Sequence, residues 1–245
     1  MTKVDGYREK LRTLQDWDEF LLQESGLPGP RGNIELAHAV AKEGDRARFE
    51  RYRSYGPEEA PVNSPFEFLA FCGVLGLGEL LAQGERAVVD TLRFYASDPR
   101  WRSREAVAQA LQIWGDADMD ALLQEMEAWS EGNPLEQRAA LCEPRLLDQP
   151  DRAERVLRIL DRITGSLQRL EDRKSWQFQA LRKGLAYCWS VAVAAHPELG
   201  KRIIEPWFTA NDRDVRWIMK QNLRKKRLER MDDEWVQHWK VQLGM

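Results

Sequence analysis

Ala96-Ser97-Asp98-Pro99-Arg100-Trp101-Arg102 and Ala210-Asn211-Asp212-Arg213-Asp214-Val215-Arg216 follow one plan. In each, an aspartate suited to cap free backbone N–H groups is followed three residues later by an apolar side chain and then by an arginine. An acidic residue at a helix start also faces the positive end of the helix dipole. The two stretches therefore predict helices opening at Asp98 and at Asp212. Looser versions of the plan are Asn133-Pro134-Leu135-Glu136-Gln137-Arg138-Ala139-Ala140 and Trp176-Gln177-Phe178-Gln179-Ala180-Leu181-Arg182. Upstream, Leu11, Leu14, Trp17, Leu21 and Leu22 sit at helical spacing within residues 3–24, and Ile34, Ala37, Val40 and Ala41 follow a candidate cap at Asn33. Proline and glycine interrupt the pattern at 26–32, around Gly56-Pro57 and from Pro61 to Pro65. No run of alternating, β-branched residues bounded by turns predicts a strand, so the fold class is all-α.

Arg102, Arg138, Arg182 and Arg216 lie 36, 44 and 34 residues apart. This spacing brackets the period of roughly 40 residues of HEAT-type helix pairs, which the chain resembles from about residue 65 onward. Such pairs cannot bury their apolar faces alone and stack on their neighbours. The resemblance implies a right-handed α-solenoid of antiparallel helix pairs over residues 66–245. Residues 1–65 would form an irregular helical cap, and the whole would be one domain.

Composition narrows the function. A chain of 245 residues with 43% hydrophobic content has ample material for a core and is not a disordered chain. The most apolar stretch, Phe66 to Ala82, is interrupted by Glu67, Glu79 and three glycines, so no membrane span is expected. Met1 to Lys10 is mostly polar, which predicts no secretory signal. Cys72, Cys142 and Cys188 form neither a disulfide framework nor a zinc pattern, and a cytoplasmic protein is expected. His38, His196 and His238 are scattered, so no metal site is expected. Gly73, Gly76 and Gly78 match neither phosphate-loop spacing, and close helix packing accounts for them better; no cofactor, nucleotide or otherwise, is expected.

Two helix faces stand out. On the helix after Asp98, taking about 100° per residue from Trp101, Ala106, Val107, Ala110 and Leu111 form the apolar arc between about 140° and 280°. Trp101 and Glu105, about 40° apart, lie on the other side beside Arg102, a further candidate ligand contact, and Arg104. They are either a functional pair or an inter-repeat packing contact. On the helix after Asp212, Val215, Ile218, Met219 and Leu223 form the apolar stripe. Opposite it, Trp217 stands among Arg216, Lys220, Arg224 and Arg227. From Arg213 to Arg230 eight bases face two acids, a local charge of +6 within a chain of net charge −3, so the remaining residues sum to −9. A cationic, aromatic-bearing helix on an acidic body is suited to phosphates. The alternative is a solvated charge run paired with acidic neighbours.

Helical repeats with a tryptophan one turn from a carboxylate, a second tryptophan further on and basic residues alongside resemble the bacterial HEAT-like alkylpurine DNA glycosylases. The resemblance places Glu105 where that family has an aspartate, to stabilise positive charge developing on a sugar as its glycosidic bond breaks. It makes Trp101 and Trp217 aromatic walls, and it puts Arg138, Lys220 and Arg224 on phosphates. Nucleic-acid binding is the first expectation, glycosylase activity through Glu105 the alternative, and a protein-binding scaffold a third. Trp114, Trp129, Trp189, Trp207, Trp235 and Trp239 read as packing residues.

Overall fold

The computed structural model describes residues 2–138, 147 and 149–245. Ala139, Ala140 and Cys142, which the sequence reading used, lie outside them. Among the described residues the regular structure is helical throughout, and the chain divides into two compact units, 1–118 and 119–245. Unit 1 holds α1 (Lys3–Thr13), α2 (Asp18–Glu24), α3 (Ile34–Glu43), α4 (Arg46–Arg53), α5 (Pro65–Ala82), α6 (Val89–Tyr95) and α7 (Trp101–Ala117). Unit 2 holds α8 (Met119–Trp129), α9 (Pro134–Gln137), α10 (Pro150–Ser166), α11 (Trp176–Ala195), α12 (Pro197–Phe208), α13 (Arg213–Leu223), α14 (Lys226–Met231) and α15 (Asp233–Gln242).

Several helix starts follow from side-chain caps. Asn33 accepts from the Leu36 N–H, Ser64 from Glu67, Ser175 from Phe178, and Asp212 from both Asp214 and Val215. Asp98 is different. The helix expected to open there begins at Trp101 and has no side-chain cap. Asp98 instead accepts from the Arg100 backbone N–H at 2.7 Å and from its guanidinium at 2.8 and 3.0 Å, with both residues buried. A buried guanidinium without a carboxylate costs more than uncapped N–H groups at a solvated helix end, so the pairing takes the aspartate. The apolar pattern over 3–24 likewise resolves into two helices rather than one. Trp17 turns inward at the break and donates its indole N–H to the Leu11 carbonyl at 2.9 Å.

Each unit is organised on one long apolar helix. In unit 1 this is α5, where every residue from Glu67 to Leu81 is buried, against α2, α3, α4, α6 and α7. By length and composition α5 could cross a membrane, but 83% of it is buried in the protein. Its two carboxylates are neutralised from neighbouring helices, Glu67 by Arg102 at 2.9 Å and Glu79 by Lys42 at 2.7 Å. The α5 glycines do serve packing. A Cβ at Gly73 would stand 2.3 Å from the Arg53 backbone nitrogen of α4, and one at Gly78 would stand 2.6 Å from the Ala110 carbonyl oxygen of α7.

In unit 2 the corresponding helix is α11, which packs on α9, α10, α12, α13 and α14. The fully buried Asn222 of α13 ties it in place. Its carbonyl accepts from the Ser190 backbone N–H at 2.9 Å, and its amide donates to the carbonyls of Leu185 and Ile218 at 3.0 and 2.9 Å. Trp235 and Trp239 cover Phe208 with ring centroids 5.7 and 4.7 Å away, and so close the C-terminal layer. Cys188 is disulfide-bonded, which corrects the expectation of unpaired thiols, while Cys72 is free and buried.

Gly78→Ala forces the α7 backbone away from α5 and is expected to lower stability by about 1–3 kcal/mol in urea unfolding. Gly6→Ala, on an open face of α1, is expected to be neutral or stabilising by less than about 1 kcal/mol.

Candidate functional site

The Trp101–Glu105 face of α7 borders a cavity of about 330 Å³ in unit 1. Ile34, Phe68, Phe71 and the Trp101 indole give it apolar walls, and Arg102, Glu105 and Gln109 add polar groups. The apolar arc behind them is buried as the helical spacing predicts, while Trp101 is 47% exposed and Glu105 is exposed. Gln109, one turn beyond Glu105, donates its amide to the Glu105 carboxylate at 3.2 Å. The other Gln109 atom, Oε1, is buried and has no hydrogen-bond partner among the described residues. Arg102, expected to contact ligand, is instead buried and committed to structure. It pairs with Glu67, donates to the Gly29 carbonyl at 3.0 Å, and lays its guanidinium 4.5 Å from the centre of the Trp101 ring. Arg102 thus holds Trp101 from beneath.

In unit 2 a buried ion cluster sets the start of α13. Asp214 accepts from Arg173 at 3.1 Å and pairs with Arg182 at 3.0 Å, and Asp212 pairs with Arg173 at 2.7 Å. Burial alone would raise the Asp212 carboxyl, but the Arg173 guanidinium and the N–H groups that it caps hold it below the usual carboxylate range. Arg182 then stacks on Trp217, with its guanidinium carbon 3.8 Å from the ring centroid. Trp217 is therefore half-covered by the protein's own cation, and its partner comes from 35 residues upstream.

The bases of the run from 213 to 230 remain. Arg213, Arg216, Arg224, Lys226 and Arg230 are exposed, and Lys220, Lys225 and Arg227 are half-buried. None of the eight forms an ion pair among the described residues, because Asp214 is held by Arg173 and Arg182, and Glu229 by Lys240 at 2.7 Å. Arg224, Lys225, Lys226, Arg227 and Arg230 line one groove of about 640 Å³ whose floor is Val191, Ala194 and Ala195 of α11, with Leu147. Arg227 also donates to the Tyr187 hydroxyl at 2.8 Å. Arg216 borders a separate recess of about 220 Å³ with Asn211 and Trp239. Arg138, exposed just past α9, lies along Gly184 of α11, where a Cβ would meet its Cγ at 3.3 Å.

Trp101 and Glu105 thus share one cavity, and Arg224 and Arg227 share one groove. Lys225, Lys226, Arg230, Gln109 and Tyr187 are additions to the residues that the sequence singled out. Gln109 was within reach of the same helical spacing, four residues after Glu105. Among the described residues, no group of three or more His, Cys, Asp and Glu side chains is placed to hold a metal ion. Comparison with protein-family models, curated proteins and solved structures finds no match.

Asp214→Asn leaves Arg173 and Arg182 short of a carboxylate. Breaking a buried pair costs about 3–5 kcal/mol, and residual solvent contact at both arginines places the expected loss near the lower end. Urea unfolding of the variant measures it, and an unchanged midpoint would show that the cluster does not order α13.

Proposed function

We propose that this chain is a binding module of HEAT-like helix pairs that takes nucleic acid on the basic surface of α13 and α14. One observation carries the reading: eight bases within eighteen residues have no carboxylate partner among the described residues, and five of them converge on a single groove. Internal pairing would have neutralised such a run. Left unpaired, the cations repel one another at a cost that phosphate groups would relieve, and binding would release the counterions condensed on the nucleic acid. The acidic remainder of the chain favours approach by this surface over any other.

Binding to short DNA oligonucleotides, followed across a salt series, is expected to weaken steeply, with a log–log slope of roughly −4 for about five phosphate contacts. Lys226→Glu with Arg230→Glu should reduce that slope by about 1 for each cation lost. Affinity indifferent to salt and to these charges would sink the reading, and a stoichiometric protein partner on the same face would point to the scaffold function instead.

A second reading draws on the unit 1 cavity, where an exposed indole and a carboxylate stand together. Cleavage of an N-glycosidic bond to an alkylated base needs a negative charge beside the developing oxocarbenium-like sugar, and Glu105 would supply it. Free modified base should then appear from methylated DNA, and Glu105→Gln should abolish its release. Absence of release by the unaltered protein disposes of this activity without touching the binding proposal.

A further inference from the structure

The groove walled by α14 has features that phosphate attraction alone does not use. Its floor is apolar: Val191 and Leu147 are buried, and the methyl groups of Ala194 and Ala195 complete it. Tyr187 lies four residues before Val191, so it stands one helical turn along the same face of α11. Its ring is 41% exposed and bears two cations, the Arg227 guanidinium carbon 4.6 Å and the Lys225 ammonium 5.7 Å from the centroid. The Arg227–Tyr187 hydrogen bond fixes the ring against the wall of the groove. An exposed aromatic, an apolar floor and a cationic wall therefore run side by side along α11.

A duplex offers a protein its phosphates and groove edges, while the faces of its bases stay stacked inside. It has no base face to lay against an exposed ring. A single strand offers unstacked base faces and sugar rings together with phosphates, and proteins take such strands by combining a basic groove with aromatic platforms.

We infer that the nucleic acid taken by this surface is single-stranded, with its phosphates on Arg224, Lys226 and Arg230 and one base stacked at Tyr187; the inference rests on the nucleic-acid reading above. Fluorescence anisotropy with a labelled oligothymidylate, a duplex of the same length and thymidine monophosphate as competitor tests it, each compared at matched concentrations across a salt series. The single strand is expected to bind at least tenfold more tightly than the duplex. Tyr187→Ala should weaken the single strand by roughly 5- to 100-fold, the range that one base–aromatic stack supplies, while leaving the salt slope unchanged. Tyr187→Phe keeps the ring and should keep most of the affinity, which separates stacking from loss of fold. A duplex bound as tightly as the single strand, or a Tyr187→Ala protein with undiminished affinity, overturns the inference and leaves the phosphate-binding surface standing. Displacement of the strand by micromolar thymidine monophosphate overturns it in favour of a free nucleotide. No binding of either oligonucleotide defeats both readings.

Discussion

Asp214 is buried at the start of α13 and serves two arginines, Arg173 and Arg182, that come from outside the basic run. Much of unit 2 depends on that arrangement. It anchors the first turn of α13 against α11, brings Arg182 over Trp217, and removes from the local charge balance an acid that could have neutralised the bases following it. Glu229 is withdrawn in the same way by Lys240. The cationic surface is therefore a product of tertiary pairing as well as of composition: the acids inside the run serve the fold, and the bases face water.

Unit 1 handles its charges in the opposite sense. Arg100, Arg102, Glu67 and Asp98 are all buried, and they form two ion pairs, Arg100 with Asp98 before α7 and Arg102 of α7 with Glu67 of α5. Because Arg102 occupies the space under Trp101, the indole is held at the cavity rim and cannot fold back onto the core. The same helix face thus carries a structural cation and an accessible aromatic. A residue type alone, read from the chain, does not separate those two duties.

The limits of legibility in the sequence follow from range. A helix face depends only on neighbours three or four residues apart, and so Trp101 and Glu105 are legible together outside the apolar arc and Val215, Ile218, Met219 and Leu223 inside it. The caps at Asn33 and Asp212 were legible for the same reason. The role of Asp98 is not legible in the same way, because burial of Arg100, which depends on the carbonyls of Tyr55 and Ala60 in a distant loop, redirects its carboxylate. The Arg182 cover on Trp217 and the α11 floor beneath Arg224 and Arg230 involve residues some 30 or more positions apart. No local period reports on such contacts.

The asparagine inside unit 2 has a mechanical consequence for the groove. Asn222 is bonded to the backbone of α11 at both Ser190 and Leu185, and from its own helix the chain runs directly into Arg224 and Lys225. To shift the point where the chain leaves α13, that helix would have to part from α11 and strand those buried donors and acceptors, at about 1–3 kcal/mol for each group left unsatisfied. The backbone at the root of the α14 wall is therefore tied to the α11 floor. Arg224 and Lys225 thus start from a fixed root, a pivot for their long side chains and not a clamp on them.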